Sequence, residues 1–67
     1  MKWNDFEDIA SALELRYPDK DNVNIRFTDL REWILSLEGF EDHPDACNER
    51  ILESIQAAWI SEREDQE

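Results

Sequence analysis

Phe27-Thr28-Asp29-Leu30-Arg31-Glu32-Trp33-Ile34-Leu35-Ser36-Leu37-Glu38-Gly39-Phe40 carries start, face and stop signals for one short helix. Thr28 is suited to the N-cap, where a hydroxyl accepts from the free N–H groups of the first turn, and Asp29 puts negative charge at the positive dipole end. Leu30, Trp33, Ile34 and Leu37 fall at i, i+3, i+4 and i+7, one apolar stripe. Gly39 suits the left-handed C′ position, with Phe40 then packing back on Leu35 in a Schellman motif. The signals predict a helix from about Asp29 to Glu38, on which the remaining chain packs.

Working outward toward the N-terminus, Val23, Ile25 and Phe27 alternate with Asn24 and Arg26, as in one short strand or extended segment. Before it, Pro18-Asp19-Lys20-Asp21-Asn22 reads as a turn-rich connector. Asp19 and Asp21 resemble the opening of a calcium loop, but Asn24 stands where the loop needs glycine and Leu30 where it needs a bidentate glutamate, so no EF-hand is present. Upstream, Asn4 and Glu7 have capping-box spacing, which predicts a helix from Asp5. Phe6, Ile9, Ala10, Leu13 and Tyr17 form its apolar face, with Asp5, Glu7, Asp8 and Glu14 on the solvent side. Pro18 forces Tyr17 out of helical geometry and ends the helix near Arg16.

Working toward the C-terminus, Glu41-Asp42-His43-Pro44-Asp45 sets several oxygen and nitrogen donors in five residues. It reads equally as a solvated loop whose acids favour the next helix start. A lone histidine builds no zinc site. Asn48 is the expected N-cap of a last helix, with Cys47 and Leu52 at hydrophobic-staple spacing. Ile51, Leu52, Ile55, Ala58 and Trp59 form its buried face, and Ser61–Glu67 is expected to fray as a charged tail.

The composition limits what such a chain does. Sixty-seven residues make one domain, 1–67, with a core too small for a deep pocket. Eighteen acidic against seven basic residues give a net charge of −11. Such a chain repels nucleic acid and anionic membranes and attracts basic protein surfaces and cations. Three short helices also describe a helix-turn-helix or winged-helix DNA reader, but Glu49 and Glu53 stand where phosphate contacts need Lys or Arg. No apolar run is long enough to span a bilayer, the first residues lack a signal-peptide core, and one cysteine forms no internal disulfide. A cytoplasmic monomer is the expectation. There is no glycine-rich phosphate loop, and Cys47 lies between the acids Asp45 and Glu49 with nothing that marks it as an activated nucleophile, so no enzyme activity is expected.

At Tyr17-Pro18-Asp19, Arg26-Phe27-Thr28-Asp29-Leu30, Trp33, Phe40, Pro44, Asn48-Glu49, Leu52-Glu53 and Ile55-Gln56 through Trp59, the chain resembles the IscX (YfhJ) family of iron–sulphur cluster assembly proteins. The likeness runs from Trp3 to Glu62. Asn22, His43 and Cys47 depart from the usual Pro, Asp and Ser. The resemblance implies a mostly α, three-helix, modified winged-helix fold. It also implies an acidic adaptor or regulator that binds the cysteine desulfurase IscS on a basic surface shared with the frataxin-like protein CyaY. Iron is the implied cofactor, held weakly as Fe2+ by surface carboxylates. The alternative is a free-standing ferrous-iron carrier, independent of the desulfurase. Clustering places the metal ligands at Glu41, Asp42, Asp45 and Glu49, with a second patch at Asp5 and Asp8 and His43 as an added nitrogen. Partner binding falls to Glu41, Asp42, Asp45, Glu49 and Glu53.

Overall fold

In the computed structural model, which describes residues 1–65, the apolar spacings become three α-helices. These are α1 (Phe6–Arg16), α2 (Phe27–Leu35) and α3 (Glu49–Asp65), with a single 3-10 turn at Pro44–Ala46 before α3. One core joins them: Trp3, Ile9, Ala10, Leu13, Leu30, Ile34, Leu37, Leu52, Ile55 and Trp59 are buried. Full burial of each large apolar side chain is worth about 1.5–3 kcal/mol. The most extensive interface lies between α1 and α3. The α2 helix, expected to organise the rest, packs on that pair. Trp33 shows the difference: it is half-buried, sandwiched between the stacked ring of Tyr17 at 4.8 Å and the edge of Trp59 at 6.1 Å. Trp59, on α3, is the largest fully buried side chain.

The helix ends depart from the local signals. On α2, Arg26 takes the N-cap position and its carbonyl accepts from Leu30 N–H at 2.9 Å, so Thr28 lies inside the helix and caps nothing. The earlier start brings Phe27 against the core, and apolar packing outweighs one hydroxyl cap. The helix stops at Leu35, because the Ser36 hydroxyl turns back to Trp33 O at 2.8 Å. Gly39 does adopt positive φ, +86°, but in a separate turn closed by Phe40 N–H to Leu37 O at 3.2 Å. Phe40 then meets Trp3 edge-on at 4.8 Å instead of packing on Leu35. On α1, Asp5 replaces Asn4 at the N-cap and makes no side-chain capping bond; its Oδ2 accepts from Lys2 N–H at 2.8 Å. On α3 the local reading holds, with Asn48 Oδ1 accepting from Ile51 N–H at 2.9 Å.

The expected extended segment is a turn. Asp21 Oδ1 accepts from the N–H groups of Val23 and Asn24 at 2.9 and 3.0 Å, which curls the backbone and leaves Val23 61% exposed. No strand occurs among the described residues, so the winged-helix likeness has no β wing there. Gln56 of α3 holds this turn by donating to the carbonyls of Asn22 and Val23 at 3.1 and 3.0 Å.

Two expectations about charge are corrected. Glu14, assigned to solvent, is 8% exposed. Its Oε1 accepts from Trp59 Nε1–H and from Arg63 Nε–H, both at 2.9 Å. Residues 61–65 of the expected frayed tail are the last part of α3; Gln66 and Glu67 lie outside the described residues. Arg63 extends from it to donate to Tyr17 O at 3.1 Å and Lys20 O at 2.6 Å, and lies over the Trp59 ring. A helix that would fray in isolation is fixed by a charge it neutralises and carbonyls it satisfies.

Trp59→Ala is expected to cost about 3–5 kcal/mol in urea unfolding, more than Trp33→Ala; the opposite order would return the organising role to α2. Glu14→Ala should cost about 3 kcal/mol by leaving Arg63 and the buried indole N–H without their acceptor, and equal midpoints for variant and wild type would refute that role.

Candidate functional site

The acidic stretch after α2 is held in place by the chain's first three residues. The Met1 ammonium donates to Gly39 O at 2.7 Å, and Glu41 N–H donates to Met1 O at 2.9 Å. Trp3 Nε1–H donates to His43 O at 2.7 Å, and Trp3 N–H to Asp42 Oδ2 at 3.2 Å. Trp3 is 2% exposed, so burial of one indole anchors the whole strap. From the other side, Arg31 of α2 donates to Pro44 O at 3.0 Å and stands 3.8 Å from Asp45 Oδ1. Asp45 is fully exposed, and that ion pair contributes little beyond position.

The acids assigned from sequence therefore divide. Asp42 serves the fold: besides Trp3 N–H on Oδ2, it accepts His43 N–H on Oδ1 at 2.8 Å. The Trp3 and then the His43 backbone N–H groups hold its carboxyl below the usual carboxylate range. Asp5 is similarly engaged with Lys2 N–H, whereas Asp8 is exposed on α1. Glu41, Asp45, Glu49 and Glu53 are all exposed, the last two one turn apart on α3. Among the described residues no three His, Cys, Asp or Glu side chains converge to hold a metal ion. The six residues expected as ligands thus form no preformed cage among the described residues. Cys47 is half-buried, its Sγ 3.6 Å from Pro44 O.

Residues 1–64 match the sequence model of the family described as iron–sulphur cluster assembly. The chain belongs to that family, the IscX (YfhJ) family. An uncharacterised protein of Pseudomonas aeruginosa is 44% identical over 64 residues, which cover 96% of this chain and 97% of the relative. Family membership gives the chain a role in iron–sulphur cluster assembly, together with the assembly machinery. The IscX family is one of small assembly proteins and not a known enzyme family. No helix among the described residues is long and apolar enough to cross a membrane.

The strap and Gln56 were missed by sequence reasoning. The acceptors of the Trp3 N–H groups lie about 40 positions away, beyond the reach of local signals. Asp42 had no local signal to separate it from its acidic neighbours.

Because its folded pKa is depressed, Asp42 contributes stability that is present above the ordinary carboxylate value of about 3.9 and lost as pH falls through the lower folded value. Asp42→Asn should therefore flatten the acid limb of the melting-temperature profile below about pH 4; an acid limb identical to that of the wild type would count against the strap.

Proposed function

We propose that this chain is an acidic, iron-binding adaptor and regulator that docks as a cytoplasmic monomer on the basic surface of the cysteine desulfurase IscS, the surface used also by the frataxin-like CyaY. The observation that carries the reading is the exposure of Glu41, Asp45, Glu49 and Glu53 around the start of α3 in a chain of net charge −11. Family membership supplies the assembly context. Exposed acids on a rigid support present a fixed pattern of charge, which steers encounter with a basic partner at little cost in desolvation. The alternative, a free-standing ferrous-iron carrier, would use the same carboxylates without the desulfurase.

Iron enters as a weak ligand. Single carboxylates leave most coordination positions to water, so Fe2+, Mn2+ and Mg2+ compete for them. Glu41, Asp45 and Glu49 are the foremost ligands, with Asp42 using lone pairs its backbone bonds leave over. Asp8 and Asp5 form the second patch, and His43 adds a nitrogen that favours iron over magnesium.

Affinity for the purified desulfurase should fall steeply between about 0.05 and 0.3 M salt, as the screening length shortens. The pair Glu49→Lys, Glu53→Lys should bind much more weakly while melting as the wild type does. Salt-indifferent affinity, or full binding by the charge-reversed pair, would overturn the docking surface. For iron, Fe2+ should broaden proton–nitrogen NMR signals around Glu41–Glu53; broadening confined to Asp19–Asp21 and Asp29–Glu32 would move the metal elsewhere.

A further inference from the structure

Leu15 is 88% exposed in the middle of a folded helix whose neighbouring Leu13 is completely buried. It stands at the edge of a groove of about 340 Å³ formed with Ala12 and Arg16 of α1 and with Leu37 and Glu38 beyond the end of α2. Leu37, 5% exposed, belongs to the core and supplies an apolar wall. The Arg16 guanidinium is drawn aside toward the Tyr17 ring, 5.9 Å from its centroid. The groove therefore offers an apolar centre of Ala12, Leu15 and Leu37, open to solvent.

We propose that this groove is an anchor pocket for one apolar side chain of a basic protein partner. The proposal deepens the adaptor reading and rests on it for the partner's basic character. Charge selects the occupant. Glu38 lines the groove and exposed Asp8 lies one helical turn before Ala12, while the one cation in the lining, Arg16, is turned toward the Tyr17 ring, so the border is net acidic. A second copy of this chain would bring another charge of −11 against that rim. A segment presenting a leucine-like side chain between lysines or arginines satisfies both the centre and the border. This is the usual anatomy of a protein interface, in which a desolvated apolar anchor contributes most of the affinity and a charged rim sets specificity. The groove is an anchor only, far smaller than the roughly 800 Å² per partner of a stable interface.

The test uses the full chain, labelled with nitrogen-15, and a synthetic 14-residue amphipathic helix of leucine and lysine, beside its counterpart with alanine in place of leucine. The leucine–lysine helix should shift the amides of Ala12, Leu15 and Leu37 and still do so at about 0.3 M salt, where surface ion pairs are screened. The alanine–lysine helix should disturb only the Glu41–Glu53 acids. Leu15→Ser should weaken leucine–lysine binding roughly 30-fold, the size of a hot-spot truncation. Its exposure predicts an unchanged melting curve, which shows the variant folded. Equal binding by Leu15→Ser, shifts confined to the Glu41–Glu53 acids, or no shift at all would overturn the pocket. So would concentration-dependent shifts of the same amides without peptide, which would assign the groove to a second copy. These outcomes leave the desulfurase titration unaffected, so failure of the pocket and failure of the adaptor reading are separable.

Discussion

The carboxylate of Glu14 is the point on which the rest of this small structure depends. It lies between α1 and α3, where the indole N–H of Trp59 and the Nε–H of Arg63 both donate to its Oε1. A buried carboxylate without such donors would be driven toward protonation or exposure. With them, the polar group at the α1–α3 interface specifies one register of the two helices. Arg63 extends the effect by holding Tyr17 O and Lys20 O, so the end of α1 and the following loop are fixed to the last turns of α3. In a chain so acidic, a cation placed inward relieves repulsion where the helices meet.

The second constraint is the N-terminal strap. Trp3 is driven into the core by its apolar area, and its two N–H groups then need acceptors. The acidic stretch supplies them as His43 O and Asp42 Oδ2. The acidic stretch is consequently tied to the N-terminal residues ahead of α3. Glu41, Asp45, Glu49 and Glu53 remain exposed because other groups have taken over the structural work. Within one acidic cluster the hydrogen bonds single out Asp42 as a structural acceptor, and its exposed neighbours are left for the docking proposed above.

The apolar groove at Leu15 and the acids at the start of α3 offer two kinds of contact. The first supplies contact area that salt does not screen, and the second supplies long-range attraction that salt does. An adaptor using both would meet its partner quickly and keep it after the encounter.

The sequence by itself determined the three α-helices, the Asn48 cap, the positive φ of Gly39, the acidic character and the family. These follow from 3.6-residue periodicity, cap chemistry and net charge, which are local or additive properties. The tertiary structure alone decided which helix pair forms the frame, that Glu14 points inward and that Arg63 holds the last turns of α3. It likewise decided that Gln56 of α3 holds the turn at residues 21–24 and that Asp42 accepts from Trp3. Each of these depends on a donor, acceptor or apolar surface brought close by folding, in most cases from dozens of residues away. Helical periodicity counts a glutamate as solvent-facing whether or not an indole and a guanidinium wait across the interface, and only the packed helices bring them there.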